Sequence, residues 1–418
     1  MDPITYRENI RKRNRLFCYV LTPLVFLFLY FLVFPSSILR FNQHMILFDE
    51  GHWLLSDYFF TLRSLLDGDP YGNCEIYMPL TYLLLYPFSQ MDDYGSLTID
   101  QDRIFLSECW TRPYAMVSYM FLLLIMSLLF WHSLQKLNRH HYFSKWSMIL
   151  LVFSSFIVFS IERGNLIILS AAFVNYFFAY YQDSDKKKVL FALFCLCMAT
   201  ILKIYPAIFG LLLLKEKRYK DILYCFAIGI PLVFLPYLAF KGGFENIPLH
   251  LSNISQMQGD FSNKWIDAFG MPKIASMLYH SVLITGPTFN VLSTVLQFIS
   301  IAFVLMSLFL VLFGKNSYWE DVMLLVCTLI LYPTNSGFYC GLYFFPVLCI
   351  FMGNKTANSR VHYLIILLSC VILNPFQISV LDGFKVASIG SNLALIAVWM
   401  IVMASSWRHY FVKAQHGS

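Results

Sequence analysis

Apolar residues fall along this chain in long runs separated by short polar breaks. The runs lie at 16–34, 113–134, 146–161, 166–181, 189–202, 221–240, 291–313, 321–333, 340–353, 361–380 and 391–407. Several approach or exceed the roughly 18 residues that mark a bilayer-spanning helix. A shorter run, 207–214, follows Pro206 and predicts kinked or partial helices, which a membrane protein tolerates where backbone lines a cavity. The pattern predicts an all-α polytopic membrane protein, one integral-membrane domain over 1–418, with about 11–13 transmembrane helices.

Two stretches break the rhythm, 35–112 and 241–290, and are read as outer loops. In the first, residues 48–80 are half apolar. As a helix, Leu54, Tyr58, Leu62, Leu65 and Leu66 form one face, and Glu50, Asp57, Thr61 and Ser64 fall on a neighbouring one. That spacing predicts a helix lying in the membrane interface, apolar side down and carboxylates up. A second segment, 78–88, is bounded by Pro79 and Pro87 and is too short to cross, so it is expected to dip into the interface.

Composition agrees with the pattern. Hydrophobic residues make up 58%, charged residues only 13%, and the mean hydropathy is +0.63. A soluble chain carries about 25% charge. Arg7, Arg11, Lys12, Arg13 and Arg15 precede the first run, so the N-terminus is expected in the cytoplasm, and the alternation returns the C-terminus there. No small-residue cleavage site follows the first run, which is read as a retained span. Asp57, Arg163 and Lys203 then share the outer side.

Charge at membrane depth narrows the chemistry. Arg163 ends one span, and Lys203 sits late in another, one turn before Pro206. A cation near hydrocarbon costs about 2.5–3.5 kcal/mol on insertion scales and marks a functional site by default. Snorkelling, or pairing of Arg163 with Glu162, is the structural alternative. A broken helix beside a lysine is suited to binding phosphate. No Walker-type loop, dinucleotide glycine fingerprint, HExxH or GxSxG occurs. The basic clusters are short inner loops, which argues against nucleic-acid binding. His44, His52 and His250 lack metal-ligand spacing, so neither a metal nor another cofactor is expected. Most of the ten cysteines lie in apolar runs, where a thiol packs as a small hydrophobe; Cys74 and Cys109 share the first outer loop, and their pairing is left open.

Glu162-Arg163-Gly164-Asn165, a helical hairpin of about 35 residues, and then Leu202-Lys203-Ile204-Tyr205-Pro206 with a basic turn together resemble the hallmark block of glycosyltransferase family 87. The first outer loop resembles it too, in Asp57-Tyr58-Phe59-Phe60, Pro70-Tyr71 and Ile76-Tyr77-Met78-Pro79-Leu80, although Met78 stands where the family pattern has a proline. The similarity covers 48–220 and beyond that is mostly shared hydropathy. The resemblance implies a GT-C bundle and a polyprenyl-phosphate sugar as donor, which is a substrate and not a cofactor. It also implies a glycan or glycolipid acceptor and an active site outside the cytoplasm, with a bacterial plasma membrane as the expected location. The best-known members transfer mannose.

The residues fit that chemistry on their own account. A sugar phosphate carries an ionised leaving group, so it needs cations and not a general acid. The acceptor hydroxyl needs one base within hydrogen-bond reach. One carboxylate with Lys and Arg is therefore the expected set, unlike the carboxylate pair of a glycosidase. Asp57 is read as the base, with Asp49 and Glu50 as rivals. Arg163, Lys203 and Tyr205 are read as donor-phosphate ligands, supported by Glu162, Asn165, Tyr71 and Tyr77. Trp53, Trp110, Trp265 and Tyr339 are open to sugar stacking or to anchoring at the interface. A lipid-linked glycan polymerase and a flippase remain as alternative classes.

Overall fold

The computed structural model describes residues 3–33, 53–66, 68–72, 75–98, 101–261, 268–280, 283–332, 336–354, 360–376, 379–381 and 384–415. Asp49, Glu50, His44, His52, Cys74 and Trp265 lie outside them.

The described chain forms eighteen α-helices. The first six are α1 (Pro3–Val33), α2 (Ser56–Arg63), α3 (Pro79–Ser89), α4 (Asp102–Thr111), α5 (Pro113–Leu137) and α6 (Lys145–Val152). Then come α7 (Ser155–Arg163), α8 (Ile167–Tyr180), α9 (Lys186–Leu202), a 3-10 segment Tyr205–Phe209 running into α10 (Gly210–Lys215), and α11 (Tyr219–Phe234). The segment expected as the second outer loop holds α12 (Asn246–Phe261) and α13 (Pro272–His280). The last five are α14 (Gly286–Phe313), α15 (Tyr318–Leu331), α16 (Phe344–Met352), α17 (Arg360–Ile372) and α18 (Val386–Gln415). Two short antiparallel pairs complete the described structure: Ala268–Phe269 with Ser336–Gly337, and Ser379–Leu381 with Phe384–Lys385.

Four helices are long and apolar enough to cross a bilayer, and the pair α6–α7, bent by 43°, would make a fifth. The other apolar helices, such as α8 and α17, are shorter, so among the described residues four or five spans pass by length and composition, fewer than the 11–13 expected from hydropathy. Exposed apolar arcs run along the long helices: Val117, Phe121, Leu124 and Leu128 on α5, Leu223, Phe226 and Ile230 on α11, and Val291, Val295 and Phe298 on α14. Spacings of three and four put each set on one helix face. Arcs of this size are unfavourable in water and natural in lipid. The chain is an integral membrane protein.

Local chemistry sets the breaks. Pro79 and Pro113 open α3 and α5, where the missing N–H costs nothing. Ser144 caps α6 and Asp185 caps α9 through side-chain oxygens. Ser317 and Glu320 form a capping box on α15. At the far end of α10 from Lys203, Lys215 pairs with the buried Asp321 of α15.

One expectation is corrected. The stretch around Asp57 is not one long amphipathic helix. It is the two-turn helix α2, and Tyr58, Phe59, Thr61, Leu62, Ser64 and Leu65 are all buried in protein. Both faces of α2 are used: Tyr58 Oη shares a hydrogen bond with Ser118 Oγ of α5 at 2.8 Å, and Phe60 stacks on Phe105 of α4. Period alone cannot tell a lipid-facing stripe from one facing neighbouring helices.

Candidate functional site

The site is built where α2 meets the end of α7. Helix α7 closes on Gly164 with φ +68°. The Gly164 N–H bonds the Ile161 carbonyl and the Asn165 N–H bonds the Ser160 carbonyl, the Schellman arrangement. Leu55, just before α2, is also left-handed, with φ 59°. Its N–H donates to the Glu162 carbonyl at 2.6 Å. A Cβ on Gly164 would lie 2.7 Å from Tyr58 Cβ and 3.3 Å from Leu55 Cα. Only glycine both takes the turn and lets α2 come this close.

That approach brings Asp57 onto the loop. Arg163 Nη2 donates to Asp57 Oδ1 at 2.6 Å, and Asn165 Nδ2 donates to Oδ2 at 2.6 Å. The Asn165 amide is oriented, because its oxygen accepts from the Ile167 N–H at 3.0 Å. The Asp57 and Arg163 side chains are each 15% exposed, so the pair is reachable and not sealed in the core. Arg163 thus pairs with Asp57. Glu162 is buried and serves α2 through its backbone carbonyl.

Lys203 comes to the site from the end of α9. Its backbone turns extended (φ −150°, ψ 119°) and ends the helix before the 3-10 turn that starts at Tyr205. Its Nζ donates to Tyr77 Oη at 3.2 Å and lies 4.4 Å from the Tyr77 ring centroid and 5.2 Å from that of Tyr339. Two aromatic faces partly replace the water that a buried ammonium loses. Tyr339 is fixed by stacking on Phe159 of α7 at 5.8 Å. Lys203 also feels the charges of Asp57 and Arg163.

Of the residues singled out in the sequence, Asp57, Arg163 and Asn165 touch one another, and Lys203 and Tyr77 touch each other. Tyr205 lies near enough to Tyr77 and Tyr339 to act on both electrostatically. Tyr71 stands behind, its hydroxyl donating to the Tyr77 carbonyl at 3.1 Å. Trp110 ties down the chain before α2, its indole N–H donating to the Leu54 carbonyl at 2.9 Å. Trp53 packs on Phe60. Cys109 is a free, buried thiol. Among the described residues no group of three or more His, Cys, Asp or Glu side chains could hold a metal.

The model of glycosyltransferase family 87 matches residues 76–333, more than half of the chain. The chain belongs to glycosyltransferase family 87. No curated protein matches it, and no solved structure does. The match extends further towards the C-terminus than the motifs alone indicate. It begins after Asp57, whereas Tyr77, Arg163, Lys203 and Tyr205 lie inside it. In this family 87 protein Asp57 is therefore tied to the matched region by geometry, through Arg163 and Asn165.

Sequence reasoning passed over Glu75, Tyr82 and the helix α12. Tyr82 Oη donates to Glu75 Oε2 at 3.2 Å and accepts from the Tyr77 N–H at 3.1 Å. His250 of α12 donates from Nε2 to the Ile76 carbonyl at 2.9 Å, so its Nδ1 accepts from Tyr237 Oη at 2.6 Å. Asn253 holds the carbonyls of Tyr71 and Glu75. The available signal was the polar content of α12, which is too wet for a span and too ordered for a linker.

Proposed function

We propose that this family 87 protein moves one sugar from a polyprenyl-phosphate donor to a hydroxyl of a glycan or glycolipid acceptor on the extracytoplasmic face, with inversion, and that mannose is the first sugar to test. The observation that carries the reading is a carboxylate clamped by Arg163 and Asn165, electrostatically coupled to a lysine on a broken helix.

In this reading the donor phosphate takes Lys203, with Tyr205 beside it, and Arg163 adds positive potential while holding Asp57. The acceptor O–H lies between Asp57 and the anomeric carbon. Asp57 takes its proton as the O–C bond forms on the face opposite the phosphate. The anomeric C–O bond breaks, its electron pair goes to the phosphate oxygen, and the cations stabilise the charge that develops there. One base and no second carboxylate nucleophile give single displacement.

The test uses the full chain in lipid nanodiscs with polyprenyl-phosphate hexoses, polyprenyl-phosphate mannose first, and membrane lipid extract as acceptor. Release of polyprenyl phosphate together with a glycosylated lipid is expected, and Lys203→Gln should weaken binding of polyprenyl phosphate. Passage of the intact donor across a vesicle membrane without cleavage would replace the reading with a flippase.

A further inference from the structure

The carboxyl of Glu75 is joined to the site through Tyr82 and Tyr77, and the proposed transfer does not use it. Its Oε2 is held by Tyr82 Oη, whose proton is directed at it because the Tyr77 N–H occupies that hydroxyl as an acceptor. Among the described residues Oε1 has no hydrogen-bond partner, and no Lys or Arg lies within ion-pair distance. The backbone beneath it is fixed on all sides. The Glu75 N–H bonds the Pro70 carbonyl at 3.3 Å, its carbonyl accepts from Asn253 at 3.1 Å, and His250 holds the next carbonyl at 2.9 Å. Tyr71 packs edge-on against Tyr82 with ring centroids 5.8 Å apart. The carboxyl is firmly framed, and its Oε1 keeps its capacity to accept a hydrogen bond.

Its position says what that oxygen meets. Glu75 and Lys203 stand at opposite ends of Tyr77: Tyr82 links the Glu75 carboxyl to the Tyr77 N–H, and Lys203 donates to the Tyr77 hydroxyl. The length of a tyrosine side chain therefore separates Glu75 from the cation that takes the phosphate. With the phosphate at Lys203 and the attacking hydroxyl at Asp57, the Glu75 end is where the acceptor arrives.

We propose that Glu75 is an acceptor-binding residue whose Oε1 takes a hydroxyl of the acceptor's glycosyl unit, and that Tyr82 is its positioning residue. This rests on the transferase reading above. Burial pushes the Glu75 carboxyl up to about 7, Asp57 adds to that, and Tyr82 and Arg63 oppose it. A carboxyl that exchanges its proton near neutrality can donate to or accept from a hydroxyl, which also does both.

The experiment measures binding to the full chain in nanodiscs with two probes. Polyprenyl phosphate reports the donor end, and a panel of methyl hexopyranosides, followed by saturation-transfer NMR, reports the acceptor end. Glu75→Gln should weaken binding of the preferred glycoside about tenfold, or about 1.4 kcal/mol, and leave polyprenyl phosphate within about twofold, which also shows that the variant is folded. Tyr82→Phe should weaken the glycoside less, and Lys203→Gln should give the opposite split. Equal loss of both probes in Glu75→Gln, loss of neither, or a wild-type protein that binds no glycoside of the panel would overturn the assignment. Failure of the transferase reading appears separately, as wild-type protein that cleaves no polyprenyl-phosphate sugar while the two probes still split as stated.

Discussion

Asp57→Asn is the most informative single change, because the structure makes its cost calculable. Both oxygens of Asp57 are acceptors, one for Arg163 and one for Asn165. Asn165 cannot turn its own oxygen inward without losing the Ile167 N–H. Asparagine at 57 offers one oxygen, so its amide NH2 must face a donor. Arg163 also loses its partner, which costs about 3–5 kcal/mol for a fully buried pair. With both side chains 15% exposed, about 3 kcal/mol of stability is the expected loss. Removing a general base adds a fall in turnover of about 10²–10⁴-fold.

Because the two effects arrive together, the control is Asn165→Ala. It removes one charge-assisted hydrogen bond, about 1.5–3 kcal/mol, and leaves the carboxylate paired with Arg163. Turnover of a polyprenyl-phosphate sugar is measured below the unfolding midpoint of both variants, with polyprenyl phosphate binding as the measure of an intact site. The expected order is Asp57→Asn at least about 100-fold down and Asn165→Ala about tenfold down. Asp57→Asn within tenfold of wild type, or Asn165→Ala equally dead, would remove Asp57 from the role of base. Loss in Asp49→Asn or Glu50→Gln would then move the assignment upstream.

Three further outcomes are expected. Gly164→Ala should cost about 2 kcal/mol or more in thermal unfolding, because φ is +68° and the new Cβ meets Tyr58 at 2.7 Å, and it should lower turnover by shifting α2. Glu75 is raised from 4.5 to about 7, so between those values the folded protein holds a proton that the unfolded chain has released; stability should therefore fall as pH rises from about 4.5 to about 7, and Glu75→Gln should flatten that part of the profile although Asp57, Arg63, Tyr71, Tyr77, Tyr82 and His250 surround the site. For sidedness, Ser107→Cys on α4 and Ser184→Cys in the α8–α9 turn are both exposed, whereas Ser64 is buried and cannot report. In a Cys74→Ser background only Ser107→Cys should react with an impermeant thiol reagent on intact cells, and the reverse would put the site on the cytoplasmic side.

The helical class, the apolar segments and the place of the breaks were legible in the sequence, because hydropathy and proline act locally. Residues 113–134 are inside α5, 166–181 match α8, and Pro206 does interrupt the chain after Lys203. What stayed hidden was set by contacts between distant segments. Nothing local to 53–66 says that its apolar face packs on α5 and α7. The pairing of Ala268–Phe269 with Ser336–Gly337, which joins the segment between α12 and α13 to the turn carrying Tyr339, involves two residues a side and leaves no pattern to read. Glu75 was invisible for the same reason: a lone glutamate between two tyrosines has no signature until Tyr82 and α12 are folded around it.

The tetrad Glu162-Arg163-Gly164-Asn165 shows why a short motif can be strong evidence when its physics is traced. Its four residues serve α2 by three means. Glu162 offers its carbonyl to the Leu55 N–H, Arg163 and Asn165 grip Asp57, and Gly164 supplies the room. The sequence presents Asp57 and the tetrad as two motifs 105 residues apart, one outside the family match and one within it. The structure makes them one device. A substitution at any of these positions must therefore be judged by what it does to the carboxylate of Asp57, even when the residue changed never meets a substrate.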